Sequence, residues 1–248
     1  MLDINRFLFV FLFCLMSNFV AIAQTNNPSP VIVNGAITVV NNGISLVPIF
    51  SIGKPAVIFD IGIKKNRFMF EPFLGFAVQE AKPWLFAFWT RYKLIQKEKF
   101  KCNVGLNPAF IFSTQNLTDA AGVTKEFVTT SRFFVLELSP NYYIAKNISF
   151  GLYATHGLGF STTAKVVDYV GVNANFSHIN LTNKIFLKAV PQIFYIKINS
   201  ADGFFATSNF VFSKEGIPFS LTSIVNKKIK SEIASDDFVW NVGVKYSY

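Results

Sequence analysis

Residues Phe238 to Tyr248 read Phe-Val-Trp-Asn-Val-Gly-Val-Lys-Tyr-Ser-Tyr. Phe238, Trp240, Val242, Val244, Tyr246 and Tyr248 fall in one phase of period two, and Val239, Asn241, Gly243, Lys245 and Ser247 in the other. Side chains of a strand point alternately to its two faces, so this strand has one apolar, aromatic face and one small, mostly polar face.

The same split recurs upstream. Phe100, Cys102, Val104, Leu106, Pro108, Phe110 and Phe112 alternate with Lys101, Asn103, Gly105, Asn107, Ala109, Ile111 and Ser113. Val57, Phe59, Ile61 and Ile63 alternate with Ile58, Asp60, Gly62 and Lys64, and Trp84, Phe86, Phe88, Thr90, Tyr92 and Leu94 with Leu85, Ala87, Trp89, Arg91 and Lys93. In each segment the charges keep to one phase. A lipid-facing surface requires that, because Lys or Arg at a bilayer midplane costs about 2–4 kcal/mol.

Composition agrees. Only 15% of residues are charged while 17% are aromatic, with 30 phenylalanines, so a large apolar surface must face something other than water. Beyond residue 23 no apolar run is long enough for a membrane helix, and closed barrels are the other structure that satisfies backbone polar groups in lipid. A soluble β-sandwich also alternates, but its polar face meets bulk water and collects Lys, Glu and Asp. Here that phase holds Gly, Ala, Asn and Ser with aromatics such as Phe73, Trp89 and Tyr143, as a crowded barrel interior does.

Residues 1–23 have the form of a cleaved signal peptide: Arg6, an apolar core from Phe7 to Met16, and Ala21-Ile22-Ala23 before Gln24. An anchor helix is the alternative, disfavoured because Ser17 and Asn18 interrupt the apolar stretch. Cys14 falls in this leader, behind Phe13 where lipidation needs a small residue, so Cys102 is left without a disulfide partner or a cysteine metal site. The formal charge of +9 is scattered among aromatics and glycines, which argues against nucleic acid and for dispersed contacts with phosphate-bearing lipid or solute.

Turn signals divide the rest into hairpins. Short turns are expected at 64–66, 96–99, 145–147, 181–183 and 214–216, and more variable loops opposite them, the longest at 114–127 and 227–237. The result is an all-β, transmembrane, antiparallel up-and-down barrel of about 12 strands over 44–248, with both termini in the periplasm. Residues 24–43 are either an N-terminal extension or a lengthened first strand. Pro48, Pro72, Pro108, Pro140 and Pro191 fall inside expected strands, where bulges would accommodate them.

The leader ending Ala21-Ile-Ala23, the closing segment Phe238–Tyr248 and the aromatic run Lys82-Pro-Trp-Leu-Phe-Ala-Phe-Trp89 resemble those of Bacteroidota outer-membrane barrels. The resemblance implies location in the outer membrane, contact with its lipid and lipopolysaccharide, and an assembly signal in Phe238, Trp240, Tyr246 and Tyr248 read by the barrel-assembly machinery. It implies almost nothing about activity.

Two histidines allow a nearly complete test for histidine chemistry. His156 shares the lipid phase with Ile148, Phe150, Leu152 and Ala154, toward the outer end of its strand, where a lipid esterase or deacylase would need its base. Outer-membrane lipases pair that histidine with a serine two positions on. Here those positions are Leu158 and, after His178, Asn180, while Ser161 has the opposite phase. Asp60, Lys64, Arg67, Glu71, Arg91, Lys93, Lys101 and Glu137 fall in the lumen phase as a selectivity ring or a salt-bridged plug, with Arg67–Glu71 and Arg91–Glu137 as candidate pairs. Lys227, Lys228 and Lys230 suit lipopolysaccharide phosphates, and Asp236 with Asp237 is a weak calcium signal. Met69, Phe73, Trp89, Phe133 and Tyr143 would fill the interior. The expectation is a non-enzymatic barrel without cofactor, either a narrow or plugged solute pore or a structural or binding barrel. A lipid-modifying enzyme using His156 and a surface adhesin or receptor are the alternatives.

Overall fold

The computed structural model describes residues 29–118, 124–160 and 162–248. The leader assigned to residues 1–23 lies outside the described residues. Twelve strands form one closed antiparallel barrel: β1 (Ile32–Val40), β2 (Ala56–Lys65), β3 (Phe68–Ala77), β4 (Pro83–Gln96), β5 (Phe100–Thr118), β6 (Thr124–Ala145), β7 (Ile148–Phe160), β8 (Val166–Asn180), β9 (Ile185–Ile198), β10 (Ala201–Lys214), β11 (Phe219–Ser231) and β12 (Phe238–Ser247). Each strand pairs with its sequence neighbours, and β12 closes on β1 from Ala36↔Ser247 to Val40↔Gly243. No helix among the described residues is long and apolar enough to cross a membrane.

Barrel class and strand number match the sequence pattern, but the first strand lies earlier than residue 44. Of the two alternatives for 24–43, residues 32–40 are strand, and the stretch from 44 onward is not. Asn41-Asn42-Gly43 breaks β1, Pro48 opens a one-turn 3-10 helix (Pro48–Phe50), and Gly53 adopts φ +68°. None of these suits a ladder.

The connections at one end are tight. β2–β3 turns on Asn66 and Arg67, with Asn66 at φ 54°, β6–β7 on Lys146 and Asn147, and β10–β11 on a turn with Gly216 at φ 75°. Both ends of the barrel sequence, Ile32 and Tyr248, lie at this end too. Opposite, the longest connection is 41–55, not 114–127 or 227–237, because β5 and β6 continue as a paired arm to Thr118↔Thr124 and β11 runs to Ser231.

Alternation sets the two faces. On β12, Phe238, Trp240, Val242, Val244 and Tyr246 are exposed outward while Asn241 and Gly243 are buried inward. Tyr248 is also exposed and pairs with Gly35 through two backbone hydrogen bonds of 3.0 and 3.1 Å. A Cβ on Gly35 would collide with the Tyr248 ring, so glycine at that position gives the terminal aromatic its seat.

Two expectations need correction. Trp84 is not on the outer face: it is 2% exposed, and its indole N–H donates to the Phe50 carbonyl at 2.7 Å. The register slips there, from Gly75↔Leu85 to Phe76↔Pro83, so one extra residue turns Trp84 inward. The prolines do the reverse. Pro72, Pro108, Pro140 and Pro191 sit in strands without bulges, and the registers on either side of them agree. Beside Pro108 the buried Asn107 side chain accepts from the Phe88 N–H at 2.7 Å. The bulges fall elsewhere, at Trp84 and at 93–95, 143–145, 176–179 and 204–205.

Candidate functional site: a lumen closed by its first loop

Inward side chains from β6 to β10 form an aromatic wall. Tyr153, Tyr169, Phe194 and Phe205 follow one another with ring centroids 5.7, 4.8 and 5.3 Å apart, and Phe133 is buried beside them. The connection 41–55 folds into the barrel against this wall. Val47 and Phe50 pack on the buried cluster, Phe50 lying 5.2 Å from Phe133, and Ile44 is itself buried. Its backbone is tied at both ends: Gly43 and Ile52 exchange bonds with Lys54 and Gly43 carbonyls at 2.8 and 2.9 Å, and Asn241 donates to Asn42 at 2.9 Å. With the Trp84 bond to Phe50, these contacts hold the loop across the lumen.

Toward the end that carries both termini the loop roofs a cavity of about 630 Å³. Ile44, Ser45 and Leu46 form its ceiling, and Asp60, Lys64, Glu71, Trp89, Arg91, Tyr153 and Lys245 are among its lining. On the other side of the loop lie two recesses of about 450 and 470 Å³.

The charge cluster centres on Glu137, whose side chain is 1% exposed. Arg91 Nε and Nη2 donate to it at 2.8 and 2.7 Å, and the Tyr153 hydroxyl donates at 2.9 Å. Arg91 Nη1 donates to Glu71 at 2.6 Å, the guanidinium lies 4.3 Å from the Trp89 ring centre, and Lys64 stands 3.6 Å from Glu71. A buried carboxylate without such partners would cost several kcal/mol, about 3–5 by the usual effect of breaking a buried pair.

The other expected lumen charges are placed apart from this cluster. Asp60 faces the chamber, and Lys101 lies over the Tyr143 ring at 4.4 Å. Lys93 Nζ reaches the Asn66 carbonyl at 3.5 Å. Arg67 does not pair with Glu71: it sits in the β2–β3 turn and donates to the Leu94 carbonyl at 3.4 Å. Lys188 and Lys245 were not singled out from the sequence, although both hold the inward phase. Lys245 lines the same cavity as Asp60.

Lys227, Lys228 and Lys230 lie on β11 and not in the loop expected at 227–237; Lys227 and Lys230 are exposed, whereas Lys228 turns to Asp237 at 2.8 Å and to the Ser235 carbonyl at 2.7 Å. The Lys228 ammonium holds the Asp237 carboxyl below its ordinary value and occupies the carboxylate that the calcium signal needed. No cluster of three or more metal-ligating side chains occurs among the described residues.

His156 points outward, and its Nδ1 lies 2.7 Å from Asp168, its cross-strand partner. Lys197 is opposite Asp168 in turn, and Asp202 opposite Lys197. The same-face neighbours of His156 along β7 are Ala154 and Leu158, and across β6 Leu136. An imidazole with a carboxylate partner is present, but no hydroxyl or thiol stands beside it among the described residues; Ser161 lies outside them.

The closed twelve-strand barrel aligns with solved structures. It superposes on the KdgM porin in complex with disordered oligogalacturonate with a TM-score of 0.50 at 12% identity, over 87% of this chain and 98% of that one. The fold is that of the outer-membrane β-barrels. The β domain of the Bordetella autotransporter BrkA gives a TM-score of 0.49 at 9% identity, covering 88% of this chain and 98% of that one, and the NanC porin 0.49 at 7%, covering 86% and 98%. At these identities the likeness extends to fold alone. No family model matches the sequence, and no curated protein does.

Proposed function

We propose that the protein is an integral outer-membrane barrel, non-enzymatic, that acts as a narrow solute pore held shut at rest by its own first outer loop. The observation that carries this reading is the path of residues 44–52, which cross the lumen and pack Val47 and Phe50 on the inner wall instead of projecting outward. A barrel with a purely structural role has no need of cavities on both sides of such a loop. The short turns and both ends of the barrel lie on the periplasmic side, and the loop enters from outside. The outward aromatic face meets lipid, Lys227 and Lys230 meet lipid phosphate, and the terminal aromatics serve assembly.

Single-channel recording in planar bilayers tests the reading. The wild type should show little steady conductance, and a variant with residues 44–52 replaced by a short Gly-Ser linker should open in stable steps. Large stable currents from the wild type, or none from a linker variant that still shows the gel mobility of a folded barrel, would overturn it.

A further inference from the structure

We infer that the chamber beneath the loop binds a short peptide with free ends and apolar side chains. The inference rests on the closed-pore reading for the loop that roofs the chamber, and it deepens that reading by naming the class of solute the lumen takes.

The charges of the chamber balance, and they divide into groups that hold one another and groups that do not. Arg91 pairs with Glu71 and with the buried Glu137, and Lys64 stands against Glu71. Asp60 and Lys245 also line the chamber, yet neither takes part in an ion pair or a side-chain hydrogen bond among the described residues. One carboxylate and one ammonium are left over. Such a couple favours neither a lone anion nor a lone cation, since each would meet one attractive and one repulsive charge. A dipolar solute satisfies both, with its ammonium on Asp60 and its carboxylate on Lys245, each contact a charge-assisted hydrogen bond in a recess of lowered dielectric.

Register sets the length of that solute. Asp60 is opposite Ala36 on β1, and Ala36 is opposite Ser247 on β12, two positions along from Lys245. The two charged side chains therefore start from strands with β1 between them, two strand spacings or roughly 10 Å apart. A single amino acid, whose ammonium and carboxylate share one carbon, is short for that gap. A chain that rises about 3.3–3.6 Å per residue bridges it with about two or three residues. Between the charges, Asn34, Ser45 and Ser247 offer the donors and acceptors that a peptide unit needs, while Phe73, Leu85 and Trp89 offer apolar surface to its side chains. The volume of about 630 Å³ falls inside the range of small-molecule sites, roughly 300–1,000 Å³.

Equilibrium dialysis of the full barrel in non-ionic detergent tests this, with radiolabelled dileucine, its N-acetyl form and its C-terminal amide as probes. Dileucine should bind saturably and at least tenfold tighter than either blocked form. Asp60→Asn should erase its advantage over the N-acetyl form and keep its advantage over the amide. Lys245→Gln should do the converse, with gel mobility remaining that of a folded barrel. No saturable binding of dileucine, equal binding of the three probes to the wild type, or an unchanged order of affinities in either folded variant overturns the inference. The comparison of probes on the wild type decides the matter even where a variant fails to fold. The chamber lies toward the end carrying the termini, so binding does not wait on movement of the loop. A folded linker variant that fails to conduct therefore counts against the closed pore alone, and failed dialysis beside a conducting linker variant counts against the peptide alone.

Discussion

Arg91 shows what one residue can hold together. It joins β4 to β3 through Glu71 and to β6 through Glu137, although β4 and β6 do not touch in the sheet. Replacing it by alanine strands a carboxylate that is 1% exposed, and the loss should be about 3–5 kcal/mol, read as a lower denaturant midpoint for the change in gel mobility. The Arg91→Ala/Glu137→Ala double variant should recover part of that loss, because no unpaired charge is left inside. Equal destabilisation by the single and the double variant would show that Glu137 does not depend on Arg91. The phase of both residues was legible in the sequence, and so was their opposite charge. That Arg91 rather than Arg67 serves Glu71 was not, since cross-strand partners depend on register and Arg67 falls in a turn where phase has no meaning.

At the scale of elements, alternation located the strands wherever the backbone stayed regular and misled where it slipped by one. Trp84 is the clearest instance: the extra residue opposite Gly75 and Phe76 reverses its face, and nothing in the local sequence announces the bulge. The same residue secures the lumenal loop, so Trp84→Phe, which keeps the ring and removes the donor to Phe50, should loosen it by about 0.5–1.5 kcal/mol. Brief channel openings should then appear in a barrel whose thermal stability is almost unchanged. Absence of openings would assign closure to the packing of Val47 and Phe50 alone. The loop itself escaped sequence reading because Ile44, Leu46 and Phe50 carry the apolar pattern of a strand while Pro48 and Gly53 break it. The seam between β1 and β12 makes a separate prediction. Deleting Tyr248 should reduce membrane insertion and raise degradation, and Gly35→Val should do the same without touching the terminus, because its side chain displaces the Tyr248 ring. Normal membrane levels of both variants would remove the terminal aromatic from assembly.

The whole molecule turns the usual protein inside out. Its lumen holds the Arg91–Glu137 cluster, the buried asparagines and the aromatic wall, while Leu136, Ile144, Val172, Ile193, Leu221, Trp240 and many like them stand exposed on the outside. Water-soluble monomers rarely expose contiguous apolar patches beyond a few hundred Å². An outer face built of such residues on all twelve strands is stable only against lipid or detergent, and the closed ladder leaves no edge strand for aggregation to begin on. The protein should therefore extract from membranes only into detergent, show a β-rich far-UV spectrum, and run faster on gels before boiling than after it. Boiling should abolish the fast form in one cooperative step, since each strand is bonded to two neighbours and none can leave alone. Recovery of folded protein in buffer without detergent would contradict the outward placement of these side chains, and with it the assignment of the barrel to a membrane.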